Sequence, residues 1–101
     1  MKVRDLLKTE DDWCKGDYCK DKHTQEVKDP VHSTVMPGSY PDNCRFCLVG
    51  AIIQCYGVRN KRFYDCIDKI QSKLGVFPTF WNDAHVRTFE EVRELVEELD
   101  I

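Results

Sequence analysis

"CRFCLVGAIIQCYG", residues 44–57, is the stretch whose reading decides the fold. Only Arg45 and Gln54 are clearly polar, so there is neither a period of two nor a single apolar stripe to follow. A helix that is apolar all round is buried all round. A buried strand is the alternative, but fourteen residues is long against the usual five or six or so. The segment is therefore read as one central helix, with Asp42 or Asn43 as N-cap and Gly57 as its stop.

Moving toward the C-terminus, Asn60 is placed to cap a helix whose Phe63, Ile67, Ile70 and Leu74 share one stripe. Lys69 and Lys73 suit the negative end of that helix, and Gly75 terminates it. The last helix opens on Thr88-Phe89-Glu90-Glu91, a capping box in which each end residue satisfies the other's orphan amide. Phe89, Val92, Leu95, Val96 and Leu99 form its apolar face. Between these helices lies "FPTFWND", residues 77–83. Pro78 holds Phe77 extended, Phe80 and Trp81 plug the core, and Asn82 and Asp83 bond nearby backbone amides.

Toward the N-terminus, Val3, Leu6 and Leu7 form the stripe of a short amphipathic helix. Residues 18–28 suit a small β-hairpin turning near 22–25. Residues 29–43, with Pro30, Pro37, Gly38 and Pro41, read as a loop long enough to be a candidate functional segment. The expectation is a single α+β domain over 1–101, dominated by three or four helices, with a short β-hairpin.

Composition narrows the function. Hydrophobic residues at 42% and charged residues at 33% are those of a soluble globular domain. Fifteen basic against 18 acidic residues, net −3, argue against general binding to nucleic acid or acidic membranes. Residues 1–7 contain Lys2, Arg4 and Asp5 and lack the apolar run of a signal peptide. "CLVGAII", residues 47–53, is too short to span a bilayer. A cytoplasmic protein is expected, with its six cysteines as thiols or metal ligands rather than disulfides.

Several landmarks occur together and in order: Trp13-Cys14 with Gly16 and Tyr18; Cys47-x-x-Gly50-Ala51; then Trp81-Asn82-Asp83 followed by Arg87-Thr88 and Glu91-Val92. The chain resembles domain of unknown function 6197, a family of small bacterial and bacteriophage proteins. The resemblance covers nearly all of the sequence, and the Trp-Asn-Asp to Arg-Thr segment is its most specific part. The chain departs from the family pattern at His85-Val86, where Pro-Gly is typical, and in extra cysteines that include Cys19 and Cys44. The resemblance implies a small, helix-rich mixed fold and a bacterial, bacteriophage or mobile-element origin, and it carries no activity.

Three constellations are candidates for chemistry. Cys14, Cys19, Cys44 and Cys47 would supply four thiolates for tetrahedral zinc, with His23 or His32 as substitutes. The opposing reading makes them buried thiols, since free cysteine is among the most buried residue types. Cys44-x-x-Cys47 at a helix N-terminus would also favour a reactive thiolate, but no preceding strand provides a thioredoxin-like frame. Trp13, Tyr18, Trp81, Asn82, Asp83 and Arg87 would wall a polar-aromatic pocket that stacks a ring and holds a phosphate. Against this, aromatic residues with capped loops are ordinary core architecture.

Nothing assembles a catalytic apparatus. His23, His32 and His85 lie in different segments, and the five glycines form no phosphate loop. The reading is a non-catalytic accessory protein that binds a macromolecular partner, most simply another protein, without a cofactor. The basic residues Arg59, Lys61, Arg62, Lys69 and Lys73 are its candidate partner surface, with charge steering the encounter. A nucleotide-sequestering protein using the Trp81 pocket and a zinc-stabilised interaction module are the alternatives.

Overall fold

The computed structural model describes residues 2–21 and 44–101. The turn expected near 22–25, the loop 29–43, His23 and His32 lie outside the described residues. Among those described, five α-helices and one two-stranded antiparallel sheet make a helix-dominated α+β fold. In chain order these are α1 (Val3–Leu6), β1 (Cys19–Asp21), β2 (Cys44–Phe46), α2 (Leu48–Tyr56), α3 (Lys61–Leu74), α4 (Pro78–Asp83) and α5 (Phe89–Leu99), with a 3-10 turn at Glu10–Asp12. No described helix is long and apolar enough to cross a membrane.

The 44–57 stretch is central and buried, but it is not all helix. Cys44 and Phe46 are buried on either side of a half-buried Arg45, which is strand alternation. β2 pairs with β1 in the register Cys19↔Phe46, Lys20↔Arg45 and Asp21↔Cys44. Among the described residues the partner of β1 is therefore this stretch, while 22–28, where the second arm was expected, lie outside them. On β2's other side Trp13 forms a parallel bridge to Phe46, where the Cys14 amide donates to the Phe46 carbonyl at 3.0 Å. The helix begins only at Leu48, and Cys47 replaces Asp42 or Asn43 as its N-cap, its Sγ accepting from the Gly50 amide at 3.2 Å.

From Leu48 to Ile53 every residue of α2 is buried, so the other helices pack around it. Gly50 explains how close the packing is. A Cβ there would lie 1.9 Å from the Tyr18 carbonyl oxygen, so only glycine lets the chain before β1 cross the first turn of α2. Gly57, at φ 80°, stops the helix as its position in the sequence suggests.

α3 and α5 follow their sequence signals. The Asn60 side chain accepts from the Phe63 amide at 2.9 Å, and Gly75 closes α3 in the left-handed region. Cys66, Ile67 and Ile70 are buried, with Phe63 and Leu74 packed at the margin. In α5 the Thr88 hydroxyl accepts from the Glu91 amide at 3.3 Å while the Glu91 carboxylate accepts from the Thr88 amide at 3.0 Å. That backbone bond, foremost, holds the Glu91 carboxyl below its usual range. α1 seats Val3 and Leu7 in the core, and the Arg93 guanidinium of α5 donates to the Leu7 carbonyl at 2.9 Å.

Candidate functional site

α4 is a helix that the sequence reading missed. Pro78 occupies its first turn, where a missing N–H costs nothing and the fixed φ favours a helix, so Phe77, extended as expected, is the N-cap of a helix. The turn is six residues long and brings Asn82 inward to a fully buried position.

Asn82 uses all of its hydrogen-bonding capacity there. Its Oδ1 accepts from the Trp13 indole Nε1 at 2.7 Å and from the Leu48 amide at 3.0 Å. Its Nδ2 donates to the Cys14 carbonyl at 3.1 Å and to Asp83 Oδ1 at 2.9 Å. The Leu48 N–H is one of the orphan amides at the start of α2, so Asn82 helps to cap a helix far away in sequence. Asp83 Oδ1 also accepts from the Gly16 amide at 3.0 Å, and Lys15 Nζ donates to the Ala84 carbonyl at 2.8 Å. The segment 13–16, α2 and α4 are thereby tied at one point. Asn82 and Asp83 do bond backbone amides as expected, but the amides are remote ones.

Trp81 and Arg87 form a separate pair. The Arg87 guanidinium lies 4.1 Å over the Trp81 ring, its Nε donates to the Trp81 carbonyl at 2.9 Å, and its Nη1 pairs with Glu91 at 2.8 Å. This joins α4 to the start of α5 and occupies the arginine with groups of its own chain. Phe80 does not plug the core: it is 76% exposed.

Beside the Asn82 node is an open cleft of about 210 Å³, lined by Gly16, Asp17, Tyr18, Cys47, Thr79 and Asp83. Of the six residues expected to wall a pocket, Tyr18 and Asp83 line this cleft. Trp13 and Asn82 are buried behind it in their mutual bond, and Trp81 and Arg87 are stacked on each other. Gly16, Asp17, Cys47 and Thr79 were not anticipated. Thr79 lies one turn before Asp83 on α4, a relation invisible until 78–83 is known to be helical.

The sequence model of a family of unknown function, DUF6197, matches residues 1–99. The chain belongs to this family. No curated protein and no solved structure matches it. In this DUF6197 member the landmarks that carry the resemblance have a shared physical role. Trp13-Cys14, the Cys47-to-Gly50 turn and Trp81-Asn82-Asp83 meet at the Asn82 node, while Arg87, Thr88 and Glu91 fasten α4 to α5.

The six cysteines are free, and all but the half-buried Cys55 are buried. The Cys14 thiol lies 3.4 Å from the Asp17 carbonyl and 3.6 Å from that of Arg45, a donor's position. Burial pushes Cys14 up to about 11 and Cys47 up to about 12. Cys47 does stand at a helix N-terminus, the position that would favour a thiolate. Desolvation outweighs the Gly50 amide that donates to its sulfur. Among the described residues, no three His, Cys, Asp or Glu side chains come together as a metal-ligand group, Cys14, Cys19, Cys44 and Cys47 included.

The five basic residues do not act as one free stripe. Arg59 is exposed in the α2–α3 loop at φ 57°, and Lys61, Arg62, Lys69 and Lys73 are exposed on α3. The Arg62 guanidinium lies 4.9 Å over the Tyr56 ring, and Lys73 pairs with Glu98 of α5 at 2.6 Å.

Proposed function

We propose that the protein is a non-catalytic binding protein that engages a macromolecular partner through the exposed corner between α3 and α4. The observation that carries this reading is the apolar ridge at that corner. Val76, Phe77 and Phe80 are 45%, 40% and 76% exposed, and they lie within five residues of one another where the chain enters one short helix. Exposed aromatic side chains are the usual anchors of protein interfaces, and a single turn of helix presents them rigidly. The neighbouring α3 supplies Lys61 and Lys69 for steering toward an acidic partner surface.

The test is co-purification from the native host with the native chain and with a Phe77→Ser/Phe80→Ser variant. A partner retained by the native protein and lost by an equally folded variant supports the reading. Equal retention by both, or retention of nothing, removes this ridge as the binding surface.

Sequestration of a small ligand is the second reading, and the cleft beside Asp83 favours it. Its volume of about 210 Å³ falls below the roughly 300–1,000 Å³ of small-molecule sites, which is why macromolecular binding comes first.

A further inference from the structure

A second concavity lies where the N-terminal turn, the end of α2, α3 and the residues after α5 meet. It is an open hollow of about 310 Å³, and its polar lining is Lys2, Tyr56, Arg62, Asp65, Lys69 and Asp100. That volume reaches the lower end of the range for small-molecule sites, unlike the cleft beside Asp83. The buried side chains of Cys66 and Ile101 supply its apolar lining.

Its charges are arranged unequally. Asp100 is already matched, because Lys2 Nζ lies 2.7 Å and Arg4 Nη1 3.0 Å from its Oδ1. Those cations hold the Asp100 carboxyl below its usual range. With Asp100 paired to Lys2 and Arg4, Asp65 is the other acidic side chain lining the hollow beside Arg62 and Lys69, and neither of these two cations has an ion-pair partner among the described residues. Burial raises the Cys66 thiol, while the charges of Lys69 and Arg62 act in the opposite direction on it, so both cations bear on the floor of the concavity. The Tyr56 ring holds the Arg62 guanidinium at 4.9 Å, which limits the freedom that binding would otherwise have to remove. A locally cationic hollow in a chain of net charge −3 selects anions against the general field.

We propose that this concavity binds a small phosphate monoester, with Arg62 and Lys69 contacting the phosphate and Asp65 accepting from a hydroxyl of the same ligand. A phosphate carries about −1.5 to −2 charge near neutral pH and presents oxygens that match the guanidinium fork. The small volume selects a low-molecular-weight ester over a phosphorylated chain.

The experiment is an amide NMR titration of the full chain with inorganic phosphate, ribose 5-phosphate, ribose and, as an ionic-strength control, chloride. Both phosphates are expected to shift the amides of Arg62, Asp65 and Lys69, with ribose and chloride inert. An Arg62→Ala/Lys69→Ala variant is expected to weaken that response about tenfold or more, since each charge-assisted bond carries of the order of a kcal/mol or more. The Phe77→Ser/Phe80→Ser variant should keep the response unchanged, so this site and the partner ridge stand or fall separately. No shift around α3 at millimolar phosphate, a response equalled by chloride, or full retention in the double variant would each overturn the proposal. Free phosphate binding as tightly as ribose 5-phosphate would overturn the hydroxyl role of Asp65.

Discussion

Asn82 and Phe80 are two positions apart on the same short helix, yet Asn82 is fully buried and Phe80 is 76% exposed. The ordinary preference of each residue is reversed. The asparagine is tolerated inside because four partners satisfy it, among them the first amide of α2 and the indole of Trp13. The phenylalanine has no comparable compensation among the described residues. One face of α4 is explained by the fold, and the other is open to solvent. The two faces should therefore respond to mutation in opposite ways.

The largest effect is expected at Asn82. Asn82→Ala leaves the Trp13 N–H, the Leu48 amide and the Cys14 carbonyl buried without partners, each costing about 1–3 kcal/mol. A loss of about 3–5 kcal/mol in urea denaturation is expected, a large share of the stability of a domain this size. Asn82→Asp sharpens the point. It keeps the acceptor, loses the donor to Cys14, and puts a second carboxylate against Asp83. Burial beside a like charge raises the folded pKa of the new carboxyl above its unfolded value. Relative to the native protein at the same pH, its deficit should grow as pH rises above the unfolded value and shrink on acidification. A cost under about 1 kcal/mol for Asn82→Ala would show that water replaces the node and that the buried face is not special.

Gly50→Ala comes next. Alanine is the better helix former by about 1 kcal/mol, so propensity alone predicts a gain. The added methyl would instead meet the Tyr18 carbonyl at 1.9 Å, and this is backbone that cannot swing aside like a flexible side chain. A net loss of about 2–3 kcal/mol is expected from the forced separation of α2 and the chain before β1. Thermal unfolding checks the sign as well as the size.

How much of this was open to reading from sequence depends on the reach of each interaction. Asn60, Gly75, Thr88 and Glu91 act on partners within four residues, and α3 and α5 appear where their caps indicate. The Asn82 bonds reach 34 residues to Leu48 and 69 to Trp13, and no local pattern announces a side chain with such partners. β2 was absorbed into the helix because Cys44-Arg45-Phe46 is too short for its alternation to stand out from an apolar run. α4 was hidden because Pro78 in a six-residue turn reads equally well as the end of something and as its beginning. For the same reason, expecting Phe80 in the core followed hydrophobicity where position on the helix decided. At the candidate site, Tyr18 and Asp83 were visible as unusual residues, but the cleft walls Thr79 and Cys47 depend on boundaries that only the tertiary contacts fix.

A smaller effect separates local from remote capping. Thr88→Ala removes the acceptor for the Glu91 amide and should cost about 1 kcal/mol. The pH dependence gives a second reading of the same box. The folded pKa of Glu91 is lowered, so its contribution is present above the unfolded value of 4.5 and is lost as pH falls through the lower folded value. Acid denaturation profiles of the native chain and Glu91→Gln should therefore converge at low pH. Profiles that stay parallel would mean that Glu91 is no more tightly held in the folded state than in the unfolded chain.

The smallest effect on stability belongs to Phe80, and its smallness is the informative result. Phe80→Ser removes an exposed ring from a surface position, so the fold should change by no more than about 0.5 kcal/mol in either direction. If it does, and partner retention is lost with it, the two faces of α4 divide stability from binding as their burial suggests. A cost above about 2 kcal/mol would instead be that of an apolar side chain buried in the intact protein. The ring would then have a partner within its own chain, and the comparison between Asn82 and Phe80 would become one between two supports of the same fold.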